Sequence, residues 1–188
     1  MTHFLMRPDG NAAADGVSAE QFQQRLDAYF EYLRPMREGM PRDLWRFFAE
    51  DFFHDGPLSR LEVEPVRRRV RCEIVCPNVK RFDGPGQWVF VNVGFEVVFQ
   101  QVWSVALYVD DEGEGEADIQ VLAAEIGTER EGIRAAFAQR GETHQSLTIH
   151  TNRFWLTVVF AEIAVTPLEV VATELMLSDA RYVFPFAR

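Results

Sequence analysis

Four histidines and a scatter of carboxylates are the side chains of this sequence best equipped for chemistry, and the tightest pairing among them is His54-Asp55. An imidazole beside a carboxylate can hold a divalent metal that activates water for hydrolysis, provided further His and Asp side chains converge on the same ion. Gly56-Pro57 follows directly. Gly and Pro punctuate helices, and a proline pushes the residue before it out of the helical region. The pair therefore reads first as a helix-to-strand corner. Asp55 would accept backbone N–H bonds in an Asx-type turn, and His54 would fix the corner against the core. A metal-dependent hydrolase centred on His54 and Asp55 is the alternative.

Such a centre would need partners, and the candidates are His144, His150 and Glu125. His3 lies near the N-terminus and is set aside. In "SLTIHTN", His150 shares strand parity with Ser146 and Thr148, which predicts that it faces solvent or a groove. No His-x-x-His, Glu-x-x-His or paired Cys-x-x-Cys spacing occurs, so no metal and no cofactor are expected. Cys72 and Cys76 fall on one strand face, about 13 Å apart at the rise of a β-strand. A disulfide needs less than about 7 Å, so both are expected to be core thiols. Gly-x-Ser-x-Gly and the phosphate-binding glycine loops are also missing. The run "RRRVR" places Arg67, Arg69 and Arg71 on one strand face, a basic ladder able to grip carboxylates or phosphate. Cross-strand neutralisation by Glu62 and Glu64 is the competing expectation.

The elements that must carry these residues can be read from periodicity. "SAEQFQQRLDAYFEYLRPMREG" opens with Ser18 as an N-cap and repeats Phe22, Leu26, Tyr29, Phe30 and Leu33 at helical spacing, with Pro35 or Gly39 to end it. "PRDLWRFFAEDFF" predicts a second helix with Pro41 at an early position and Leu44, Trp45, Phe48 and Phe52 inward. From Leu58 the period becomes two. "LSRLEVEP", "VRRRVRCEIVC", "IQVLAAEIG", "HQSLTIHTN", "RFWLTVVFAEIAVT" and "VVATELMLSDARYVF" all read as strands. "QWVFVNVGFEVVFQQVWSVALYV" is too long for one strand, and Gly94 or Gln100-Gln101 should break it. "DGPGQW" and "TNR" read as turns, and the acidic "DDEGEGEAD" as a solvated loop. "TEREGIRAAFAQRG" predicts a helix near 128–140, with Thr128 and Glu131 as a capping box.

The sum is an α+β fold: N-terminal helices packed on a largely antiparallel sheet of about six to eight strands, with one inserted helix. Residues 1–17 are expected to be a loose tail and 18–188 a single domain, helical over 18–53 and mainly sheet over 58–188. With 47% hydrophobic residues and 16 phenylalanines among 188 residues, the chain can bury a real core. A formal charge of -10 argues against nucleic acid and anionic membrane as partners. Two cysteines and the lack of an apolar leader or ~20-residue apolar span point to the cytoplasm.

"FFHDGPLSRLEVEP", with the later "AAEIG" and "HTNRFWLTVVFAEIAV", resembles small bacterial α+β proteins in which a Phe-His-Asp-small turn opens a sheet and a late strand pair closes it. Some of those relatives are immunity proteins that bind and neutralise polymorphic toxins. The resemblance covers Phe52 to Val165 and implies that Phe53, His54, Asp55 and Gly56 occupy the turn. The N-terminal helices and "RRRVR" are not part of its pattern. The resulting expectation is a non-enzymatic module that binds a protein partner, immunity-like, using its acidic surface or a sheet face. A small-ligand-binding domain is a further alternative, since the Phe and Trp content could line a pocket. An exposed sheet edge would also permit a homodimer, unless the helices cover it.

Overall fold

The computed structural model describes residues 19–49, 53–84, 87–109, 118–127 and 144–168. The expected tail, the Ser18 cap, Phe52, the helix near 128–140 and the strand beyond 168 lie outside the described residues.

The first helix, α1 (Ala19–Leu33), runs into a 3₁₀ turn (Arg34–Gly39) that contains Pro35. Tyr29 and Leu33 are buried and Leu26 packs beside them, as the helical spacing requires. The second helix, α2 (Arg42–Phe48), is shorter than its sequence pattern suggests, and Pro41 stands just ahead of it in an extended conformation. Leu44, Phe47 and Phe48 are buried on it.

Eight antiparallel strands follow among the described residues: β1 (Leu58–Glu64), β2 (Arg69–Gly84), β3 (Gln87–Gln100), β4 (Ser104–Val109), β5 (Val121–Ile126), β6 (Gln145–Thr151), β7 (Phe154–Phe160) and β8 (Glu162–Pro167). They form two sheets rather than the one expected, in the orders β1-β2-β3-β8 and β4-β7-β6-β5. The reason lies at two short interruptions. Gln101 sits in the left-handed region with φ 51°, so the break falls at the Gln pair. Gly94 stays inside β3 opposite Val75. Ala161 similarly separates β7 from β8. Because β3 pairs β8 and β4 pairs β7, one two-stranded ribbon bends at these residues and passes from the first sheet into the second. In β2, a bulge between Cys76 and Val79 accommodates Pro77, which has no N–H for the ladder.

Period two is clean in the described parts of β2 and β3, the central strands of the first sheet, but not in β1, where Val63 is exposed. Val70, Cys72, Ile74 and Cys76 of β2 and Val93, Phe95, Val97 and Phe99 of β3 are buried. Both thiols are free, and burial pushes each up to about 12, so neither is a nucleophile near neutral pH. One hydrophobic cluster joins these residues to Leu147, Ile149, Leu156 and Val158 of the second sheet and to both helices. Phe47, Phe53 and Phe95 stack at its centre with ring centroids 5.6–5.7 Å apart, the spacing at which offset and edge contacts are favourable.

Candidate functional site

The corner at His54-Asp55 links the two sheets. Asp55 N donates to Val121 O (2.8 Å), Val121 N to Gly56 O (2.9 Å) and Leu58 N to Ile119 O (2.7 Å). Asp55 adopts φ 59°, a conformation that Asp tolerates better than most residues. Glycine is required next: a Cβ at position 56 would lie 2.5 Å from Val75 O and 2.8 Å from Phe53 O. The anchoring differs from the expectation. Phe53, not His54, is buried. The His54 and Asp55 side chains are 56% and 68% exposed and stand 3.6 Å apart. His54 Nδ1 donates to Leu122 O at 2.6 Å. The ring thus ties the corner to the start of β5 from outside, because the tight turn aims it at a carbonyl instead of the core.

His150 departs further from expectation. Its parity with Ser146 and Thr148 is as read, yet it is fully buried rather than facing solvent or a groove. Alternation fails as a guide here because both faces of β6 are buried: Leu147 and Ile149 on one, Ser146, Thr148 and His150 on the other. Polar groups in such a place must find hydrogen-bond partners. Thr148 Oγ1 bonds Thr157 Oγ1 at 2.9 Å. His150 Nε2 lies 3.3 Å from Glu125 Oε2, with both side chains 0% exposed. Trp155 stands edge-on to the imidazole at 5.1 Å. Glu125 and His150 form an imidazole–carboxylate pair of the kind used in acid–base chemistry, but one closed to solvent.

His144 occupies a different position. It lines a cavity of about 390 Å³ between the 3₁₀ turn (Pro35, Met36, Gly39) and the adjoining ends of β5 and β6 (Gly127, Ser146). The structure therefore joins His150 to Glu125 and His54 to Asp55. Among the described residues, no three His, Cys, Asp or Glu side chains gather as a metal ion would need.

The arginine ladder is matched by carboxylates. Arg67 lies in the turn before β2 rather than on the strand, and its Nη1 donates to Glu64 at 3.0 Å. Arg69 Nε donates to the same carboxylate at 2.7 Å. Arg71 bonds Glu96 on β3 and lies 3.8 Å from Glu62. Arg60 bridges Glu62 and Glu73 at 2.9 and 3.1 Å. Partial burial pushes the Glu64 carboxyl up, but the hydrogen bonds and charges of Arg69 and then Arg67 outweigh it and hold it below its ordinary value. The Glu96 carboxylate likewise raises Arg71. Cross-strand neutralisation, with Glu64 opposite Arg69 and Glu62 opposite Arg71, accounts for this face.

The feature that sequence reasoning missed is the exposure of β4, the strand that follows the expected break at Gln100-Gln101. Among the described residues it pairs on one side alone, with β7. Leu107, Tyr108 and Val109 are 50%, 49% and 71% exposed. At the start of the strand Arg68 stacks over the Trp103 ring, 4.0 Å from its centroid. The other edges are finished differently. Tyr29 Oη accepts the Ile126 N–H of β5 at 2.7 Å, and Asp43 Oδ2 accepts the Val165 N–H of β8 at 2.9 Å. β1 carries Arg60, Glu62 and Glu64, charges that discourage strand addition. "SVALYV" has no charge and no proline. Its composition was the available signal, but an apolar alternating run reads equally well as a buried strand.

No protein-family model and no curated protein matches the chain. No helix among the described residues is long and apolar enough to cross a membrane.

Proposed function

We propose that this chain is a non-enzymatic protein-binding module that docks its partner by strand addition at β4. One observation carries the reading: among the described residues, β4 is an uncharged edge strand with three large apolar side chains exposed at its end. Native proteins blunt such edges unless a partner uses them, because the open row of N–H and C=O groups templates another strand. Main-chain bonds would supply affinity, and Leu107, Tyr108 and Trp103 would supply anchors of the size and polarity favoured at interfaces.

The partner class follows from charge. At -10, the chain attracts basic proteins over distance and speeds their encounter. That is the property an immunity-like protein would use against a basic nuclease, and it accords with the resemblance of "FFHDGPLSRLEVEP" to such proteins. The arginines of sheet 1 contribute little to anion binding in this reading, since their guanidinium groups face carboxylates already.

The test is affinity capture with the wild-type chain and with Leu107→Lys in parallel. A stoichiometric basic partner held by the wild type and released by the variant is expected. A partner held equally by both would exclude β4 as the docking element, and no stoichiometric partner would count against the module itself. A second reading, small-ligand binding, is favoured by the 390 Å³ cavity beside His144 and Ser146, a size within the usual range for ligand pockets. Loss of a bound metabolite on Ser146→Leu, with β4 binding unchanged, would favour it.

A further inference from the structure

At the joint between the two sheets, two residues adopt a backbone conformation that suits glycine. Arg68, the last residue of the turn between β1 and β2, has φ 50°, and Gln101, between β3 and β4, has φ 51°. A side chain makes the left-handed region costly, and such positions persist where the surrounding structure holds them. Here the two adjoin, because Val102 N donates to Arg68 O at 2.8 Å. We propose that Arg68 is a clasp: it fastens the β1–β2 turn to the bend at Gln101 and so fixes where β4 leaves the first sheet for the second.

Three contacts make the fastening. Besides accepting the Val102 N–H, Arg68 donates from Nε to Val102 O at 3.2 Å, so one residue grips both main-chain groups of Val102. Its guanidinium then lies over the Trp103 ring, 4.0 Å from the centroid. Trp103 N donates in turn to Val159 O at 2.8 Å, which carries the connection into β7. Arginine suits the task, since Nε can bond a carbonyl while the planar head covers an indole face. Lysine has a single terminal group and cannot make both contacts at once.

The neighbouring arginines are used differently. Arg67 and Arg69 donate to Glu64, and Arg71 to Glu96. Among the described residues, the polar partner of the Arg68 side chain is a carbonyl, not a carboxylate. The run "RRRVR" thus gives three cations to the face of the first sheet and one to the joint. On the other side of the bend, Ala161 N donates to Gln100 O at 3.3 Å and Gln101 Nε2 to Glu162 at 2.9 Å. Those bonds hold β8 against the end of β3 and do not reach β4. Losing the Arg68 side chain should therefore loosen the start of β4 and leave both sheets folded.

Arg68→Asn separates a clasp from an ordinary turn residue. Asn tolerates the left-handed region better than most side chains but is too short to cover Trp103. Amide exchange on the full chain should accelerate about tenfold at Val102, Trp103 and Ser104, with β5 and β6 at wild-type rates. Exchange at the joint that is unchanged or slower would overturn the proposal. Acceleration spread equally over β5 would overturn it too, by making Arg68 a residue of global stability. Arg68→Lys should fall between the wild type and Arg68→Asn; a rate equal to wild type would show that the Nε bond adds nothing. Trp103→Leu approaches the same contact from the other side, should Arg68→Asn fold poorly, and it should also accelerate the joint. The double variant should open little more than either single one, because the two side chains act as a unit. Fully additive accelerations would show that they do not, and the clasp would fail.

Discussion

The second sheet has two edges, and they are finished in opposite ways. β5 is buried along nearly its whole length. Its Ile126 N–H is taken by the Tyr29 hydroxyl, and Tyr32 donates to the Gly127 carbonyl at 2.7 Å. β4 has the same length, lies across the same sheet and bears Leu107, Tyr108 and Val109 in solvent. A helix thus closes one edge with two tyrosines, while the other has no second strand beside it among the described residues. The difference teaches where stability and binding reside: substitutions at β5 should cost folding, and substitutions at β4 should cost association.

The largest effect is expected from Glu125→Ala. Removing the carboxylate leaves the His150 imidazole buried opposite an apolar gap, a loss of about 3 kcal/mol, to be read from urea unfolding. A loss below about 1 kcal/mol would show that the pair contributes little to closing this side of the sheet. Gly127→Ala comes next. Gly127 adopts φ 77°, and a Cβ there would lie 2.4 Å from the Tyr32 hydroxyl, so about 2 kcal/mol should be lost. Tyr29→Phe removes the acceptor of a buried N–H at a cost of about 1–2 kcal/mol, and exchange at Ile126 should accelerate. Leu107→Lys on β4 should change stability by no more than about 0.5 kcal/mol while abolishing partner binding. If it destabilised the fold as much as Tyr29→Phe does, the contrast between the edges would collapse.

The outer face of sheet 1 offers the smallest effect and a sign to check. The Glu64 carboxyl is held below its unfolded value of 4.5. A depressed acid stabilises the fold above that value, and the contribution is lost as pH falls through the lower folded-state value. Thermal unfolding of Glu64→Gln should therefore trail the wild type at pH 7, and the gap should close at strongly acidic pH. A gap that widened in acid would contradict the ion-pair description of this face.

Sheet 1 was legible in the sequence because one of its faces meets water. Its period of two sorts Cys72 and Ile74 from Arg71 and Glu73, while the centre of the turn expected at "DGPGQW", residues 85–86, lies outside the described residues. The helical spacing of Tyr29 and Leu33 was equally plain, as was the hairpin at Thr151-Asn152-Arg153. Sheet 2 was less so. Burial on both faces hides the polar seam of Thr148, His150 and Glu125 behind an alternation that suggests exposure. The split into two sheets rests on short breaks at residues 101–103 and at Ala161, and neither carries a glycine or proline to announce it. For the candidate site, the corner at His54-Asp55 was visible from Gly56-Pro57. The pairing of Glu125 with His150 joins residues 25 apart in the chain, and the openness of β4 depends on what packs beside it.

Amide hydrogen exchange at β4, compared with β5 in the same sample, tests the central claim most directly. In dilute protein the Ser104–Val109 amides should exchange fast and those of Val121–Ile126 slowly. On adding the captured basic partner, β4 alone should become protected. If the partner binds and the β4 amides keep exchanging as fast as before, strand addition at β4 is not how this protein recognises another.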